Sequence, residues 1–175
     1  GSRKATAYGK NVLKKILPDL IQEDWVIVSG LARGIDTYAH HICLEESGKT
    51  IAVLANGLDK IYPRENSRLQ LEIAGSQCLV SEYPLKTVPL KRHFPMRNRI
   101  ISGLSRGTVV VEAKERSGSL ITAQLALQEG REIFAVPGHI FSENSEGTNA
   151  LIKQGAVSVL SSQDILDELV LYSRY

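Results

Sequence analysis

TVVVEAKERSGSLITAQLALQEGREIFAVPG, Thr108 to Gly138, is the stretch whose reading decides the fold. It opens with a β-branched run, TVVVEA (Thr108–Ala113). An amphipathic segment follows over Leu120–Glu129, then Gly130, then a second apolar run, EIFAVPG (Glu132–Gly138). The two runs are continuously apolar rather than alternating, as in strands covered on both faces. Gly130 stands where a left-handed helix cap belongs. Strand, helix and strand with short connections make a parallel βαβ unit.

The same alternation extends outward. Strands are expected at Trp25–Gly30, Thr50–Gly57, Cys78–Glu82 and Ala156–Leu160. Helices are expected at Ala5–Leu17, Asp36–Glu46, Ser67–Ala74, Arg97–Leu104, Asn149–Lys153 and Gln163–Leu171. The fold class that follows is α/β, a doubly wound and mostly parallel sheet with helices on both faces. No repeat, low-complexity segment or internal linker interrupts it. The 175 residues, 43% of them hydrophobic, fit one domain over 1–175 with a sizeable core.

In such sheets ligands bind beyond the carboxyl ends of the strands. Those ends carry SGLARGID, ANGLDKIYP, SEYP, EAKERSGS and VPGHIFSENSEGTN, which should converge on one edge. SGLARGID (Ser29–Asp36) is a strand-to-helix turn. Gly30 and Gly34 let backbone approach a ligand, the helix start offers amides to an anion, Ser29 adds a hydroxyl and Arg33 a fork. It matches neither G-x-G-x-x-G nor a Walker loop. A purely structural turn with Asp36 as cap explains it equally well. GSRKATAYG (Gly1–Gly9) has the same logic through Ser2 and Arg3, provided that Gly1-Ser2 is native rather than an expression scar.

Charge is distributed unevenly. The net charge is only +2, yet Pro84–Arg106 holds six Lys/Arg and no carboxylate, leaving 15 cations against 19 anions elsewhere. Within it, KRHFPMRNR (Lys91–Arg99) surrounds Phe94 with Lys91, Arg92, Arg97 and Arg99. An aromatic ring for a base and cations for its backbone are what single-stranded nucleic acid requires. A core position for Phe94 is the competing reading. If a helix begins at Arg97, then Arg97 and Asn98 point outward from its first turn.

Catalytic groupings are scarce. Asp36, His40 and His41 make a helical half-site without a third ligand. Tyr62 and Tyr83 precede prolines in strand-end loops, where they pack or meet a ligand. Glu112 ends a strand as base or cap, and Ser117-Gly118-Ser119 lacks a partner dyad. No metal, no cofactor and no catalytic residue are expected. Cys43 and Cys78 give neither a disulfide framework nor a zinc spacing, so a reducing, cytoplasmic compartment is expected. There is no transmembrane-length run and no signal peptide.

GSRKATAYG, SGLARGIDTYAH, TIAVLANGLDKIYP, SEYP, FPMRNRIISGLS, VVVEAKERSGSLITAQLALQEGREIFAVPG and SEGTNALIKQGA, in this order, resemble the DprA/Smf family (DNA processing protein A). The resemblance runs from Gly1 to about Leu160. It implies an extended Rossmann-like domain that binds single-stranded DNA without sequence preference. It also implies a homodimer that protects incoming strands in natural transformation and loads the recombinase RecA, and no enzyme. The phosphate pocket would fall on Ser2, Arg3, Ser29, Gly30, Arg33 and Gly34. Lys91, Arg97 and Asn98 would join it, with Phe94 on a base and Arg92 and Arg99 as additional basic contacts. Dimer and RecA surfaces would lie in the C-terminal part, around His139–Gly155. GSR belongs to the family pattern, which implies a native Gly1-Ser2, a strand upstream of this numbering, and accessory domains outside it. The alternatives are a LOG-like nucleotide phosphoribohydrolase, whose P-G-G-x-G-T-x-x-E loop has only VPGHIFSENSEGTN as a counterpart, and a nucleotide-sensing domain using SGLARGID alone.

Overall fold

A computed structural model describes residues 1–171, with side chains through 169. The last four residues of the domain expected over 1–175 lie outside the described residues. The elements run α1 (Ala7–Gln22), β1 (Ile27–Ser29), α2 (Ile35–Glu45), β2 (Thr50–Val53), a 3-10 turn (Arg64–Asn66), α3 (Ser67–Ser76), β3 (Cys78–Val80), α4 (His93–Leu104), β4 (Gly107–Val110), α5 (Gly118–Gln128), β5 (Glu132–Ala135), α6 (Glu143–Lys153), β6 (Val157–Ser158) and α7 (Ser162–Leu171).

All pairing is parallel. β1 pairs β2 with Val28 beside Ile51, and β2 pairs β3 with Ala52 beside Leu79. β4 pairs β5 with Val109 beside Phe134, and β5 pairs β6 with Ala135 beside Ser158. Where one sheet was expected, hydrogen bonding is divided into two three-stranded sheets, β1-β2-β3 and β4-β5-β6. Between the edge strands β1 and β4 lies a cavity of about 910 Å³, walled by Val26–Val28, Thr108–Val111 and by Leu13, Leu17 and Ile101. Across it the half-sheets succeed one another as 3-2-1 and 4-5-6, and the change of direction between β1 and β4 is where such folds bind ligands.

Helices cover both faces, because neighbouring strand residues point to opposite sides. Val111, Phe134 and Val136 pack with Leu13, Ile16, Ile35 and Ile42 of α1 and α2 and with Ile165 of α7. Val110, Ala113 and Ile133 pack instead against Ala123 and Ala126 of α5. On the first sheet, Ala52 and Leu54 pack with Leu69 and Ile73 of α3.

Three helices differ from expectation. α1 continues past Leu17 through Pro18 because Leu20, one turn on, is buried in the same cluster. α4 begins at His93 rather than Arg97. His93 is buried, stacked on Tyr83 at 4.1 Å and bonded through Nδ1 to the Ala55 carbonyl at 3.1 Å. Pro95 is tolerated there because first-turn N–H groups have no intrahelical partner. α6 begins at Glu143 rather than Asn149. Its polar first half hides a packed face at Gly147, where an added Cβ would stand 2.9 Å from the Ala113 and Lys114 carbonyls.

Candidate functional site

The turn after β1 is held from inside. Asp36 Oδ2 accepts the amides of Gly30 at 3.1 Å and Ala32 at 3.4 Å. The carbonyl of Gly30 accepts from Arg97 Nη1 at 2.7 Å, and the same nitrogen donates to the carbonyl of Val53. One residue is thus pinned on both sides, its N–H by a carboxylate and its C=O by a guanidinium. Gly30 has to be glycine, since a Cβ there would stand 2.5 Å from the guanidinium. Burial works against the charge on Asp36, while Arg97 and the Ala32 amide favour it. Below it, buried His40 has its Nδ1 2.7 Å from the Thr50 hydroxyl, which donates to the Ile27 carbonyl. Burial drives this imidazole down to about 4, so it is neutral near pH 7.

The N-terminal segment docks on this turn. Ile35 donates its amide to the Ser2 carbonyl at 3.1 Å. Gly34 makes that approach possible with φ +81°, because a Cβ would stand 2.1 Å from the Ser2 oxygen. Further along, the Thr6 amide and hydroxyl donate to the buried carboxylate of Glu112, and the Gly9 amide donates to the Thr6 hydroxyl. Of its two readings, Glu112 has the capping one: it fixes the start of α1.

The mouth of the cavity between β1 and β4 is lined by Ser2, Arg3, Ser29, Lys91, Phe94, Arg97 and Asn98. Residues from three separate stretches of chain therefore meet at the switch point. Phe94 is half-buried, with the Arg3 guanidinium 5.5 Å and the Arg97 guanidinium 6.0 Å from its ring centroid. The Tyr62 ring is tilted against it, with centroids 5.6 Å apart. Asn98 reaches the Gly118 carbonyl at 3.4 Å. Lys114 and Arg116 from the β4–α5 loop also line this mouth.

Other expected placements differ. Arg97, expected to point outward with Asn98, is only 4% exposed. Its side chain runs inward because two strand-end carbonyls need donors there, so it supports the turn from beneath. The turn also spends amides on itself: those of Gly30 and Ala32 go to Asp36 and that of Ile35 to Ser2. Arg33 turns away to Glu65 at 2.6 Å, both well exposed, and Arg99 pairs with Glu82. Exposed Arg92 precedes α4 as its cap residue. His40 is buried while His41 is exposed, and among the described residues no cluster of three or more His, Cys, Asp or Glu can hold a metal. Asp36 holds the turn as its capping residue, one of the two readings of SGLARGID. Lys114, Arg116 and Asn66, whose Nδ2 donates to the Leu31 carbonyl at 2.9 Å, carry no local signature that marks them as parts of this site. No helix among the described residues is long and apolar enough to cross a membrane.

The fold and site together define a Rossmann-like α/β domain with a cation-rimmed cleft at its switch point. The chain belongs to the DNA recombination-mediator protein A family, whose sequence pattern matches residues 1–170. It is 52% identical over 169 residues to DNA processing protein DprA of Bacillus subtilis, covering 97% of this chain and 57% of that protein. It superposes on the crystal structure of DprA from Streptococcus pneumoniae with a TM-score of 0.91 at 51% identity, covering 96% of this chain and 59% of that one. DNA processing protein A from Helicobacter pylori, a protein with a unique single-stranded DNA binding mode, matches with a TM-score of 0.87 at 33% identity, covering 97% of this chain and 77% of that one. The chain thus spans somewhat over half the length of the Bacillus and Streptococcus proteins.

Proposed function

We propose that this domain binds single-stranded DNA without sequence preference across the mouth of the cavity between β1 and β4. One observation carries the reading: Phe94 stands at that mouth with Arg3 over its ring and Ser2, Ser29, Lys91 and Asn98 around it. A half-buried ring offers a stacking face to any base, and the cations and hydroxyls beside it suit the phosphates on either side. Gly30 and Gly34 serve by backbone shape and Arg97 by holding the turn. Arg33, Arg92 and Arg99 are outlying basic contacts that approaching phosphates compete for.

The wider role in this reading is that of a cytoplasmic homodimer that delivers the strand to RecA in natural transformation and recombination. Family membership supports it, with the dimer and RecA surfaces around His139–Gly155, where Ile140 and Phe141 are strongly exposed. No bond-making step belongs to the reading. Against phosphoribohydrolase chemistry, Glu143 in the β5–α6 region is exposed and engaged by Lys114 rather than poised in a cleft.

Titration of labelled oligo-dT at two salt concentrations, with duplex DNA as competitor, tests the proposal. Tight binding to the single strand, weakening by about 0.7 of a log unit per neutralised phosphate for each tenfold rise in salt, is expected. A folded protein that ignores oligo-dT at low salt refutes it. Sedimentation and a RecA-filament assay on protected single strands check the dimer and the loading step.

A further inference from the structure

We propose that Tyr62 is a second base-stacking ring beside Phe94, so that the site grips two successive nucleobases. This rests on the single-stranded DNA reading above and extends it to a residue on a different loop.

Tyr62 lies between β2 and α3 and is 38% exposed. Its centroid is 5.6 Å from that of Phe94 and the planes are tilted by 54°. Two rings at that angle cannot both lie parallel to one base. They fit two neighbouring bases turned relative to each other, which a single strand reaches and a stacked duplex does not. The hydroxyl of Tyr62 makes no hydrogen bond among the described residues, so the ring is not held in place for the sake of its polar atom.

The loop is braced before any ligand arrives. The Tyr62 amide donates to Gln70 Oε1 at 3.3 Å, and Gln70, itself buried, donates to the Lys60 carbonyl at 2.9 Å. The Gly57 amide donates to the Thr87 carbonyl and the Lys86 amide to Asp59, which joins this loop to the one leading into α4. On the joined loops Ile61, Leu85 and Val88 are exposed, with Lys86 and Lys91 nearby in the chain. Exposed apolar side chains interleaved with cations are the chemistry of unpaired bases on a phosphate backbone.

The test compares affinity for oligo-dT with affinity for an abasic oligonucleotide of equal length. The wild type, Tyr62→Ala, Tyr62→Phe, Phe94→Ala and the double variant Phe94→Ala/Tyr62→Ala are measured. Tyr62→Ala should weaken oligo-dT by about 5- to 150-fold, the span of one lost stack. It should leave the abasic strand unchanged and still weaken oligo-dT in the Phe94→Ala background, while Tyr62→Phe binds like wild type. Wild-type affinity in Tyr62→Ala overturns the inference and leaves the broader reading standing. So does an effect that disappears in the Phe94→Ala background, since Tyr62 would then only prop its neighbour, or an equal loss on the abasic strand. Failure of the wild type to bind oligo-dT overturns both.

Discussion

The turns after β1 and β5 both lead into helices with carboxylates in the first turn, and they use them in opposite ways. Asp36 of α2 is folded under its turn, where it accepts two amides and faces Arg97. Glu143 and Glu146 of α6 stand exposed, with Glu143 engaged by Lys114. The first arrangement removes its negative charge from the surface and leaves Arg3 and Lys91 to set the potential at the mouth. The second leaves its negative charge exposed beside Lys114. An acid at a helix start therefore does not decide whether that end accepts anions. The direction in which the side chain is turned decides it.

The strongest way to break this contrast is to remove the cation under the β1 turn. Arg97→Ala leaves the Gly30 and Val53 carbonyls without their donor and Asp36 without its buried counter-charge. Each buried acceptor left without a partner costs about 1–3 kcal/mol, and two lose theirs here. Urea unfolding should show that loss, and oligo-dT binding should weaken through a disordered turn. Had Arg97 been a phosphate contact instead, stability would hold and the salt slope would fall by about 1.

Next in size is a pH effect specific to the β1 side. His40 titrates at about 4 when folded against 6.5 in the unstructured chain. The unfolded state therefore binds the extra proton first on acidification. The stabilising contribution is whole above pH 6.5 and is lost between 6.5 and 4, at about 1.4 kcal/mol per pH unit, toward about 3 kcal/mol in all. Unfolding midpoints measured across that window should follow this slope, and His40→Gln should flatten it.

Gly34→Ala comes third. It forces φ +81° on a residue with a side chain and directs a Cβ at the Ser2 carbonyl. A cost above about 1 kcal/mol is expected, together with release of the Ser2–Arg3 segment, read as faster amide exchange at Ile35. Gly130→Ala has φ +66° but open space around it, so it should show the backbone cost alone.

These effects fall on residues that differ in how far the sequence reveals them. All six strands are legible because a covered parallel strand is a local apolar run, and the setting of Phe94 is legible because its cations are chain neighbours. Arg97 was visible as a charge but not as a buried one. Its partners are backbone carbonyls at Gly30 and Val53, and a carbonyl is the same in every residue. Gly147 concealed the start of α6 for a related reason, since a glycine packed on Ala113 reads as a loop until that surface is present.

The smallest effects sharpen the contrast at the surface. Arg33 and Glu65 form an exposed pair that salt and solvent weaken, so Arg33→Ala should leave the melting temperature unchanged. If a phosphate recruits Arg33 on binding, the same variant lowers the salt slope of oligo-dT binding by about 1, uniformly over sequences. If Arg33 stays with Glu65, the slope does not move, and the mouth residues Arg3 and Lys91 carry the phosphate contacts alone. Glu143→Gln is the matching change after β5. It frees Lys114, which already lines the same cavity mouth, and removes a charge that repels the backbone. A small gain in oligo-dT affinity with a steeper salt slope is expected. A loss would mean that the Lys114–Glu143 pair orders the β4–α5 loop for binding rather than holding a cation away from it.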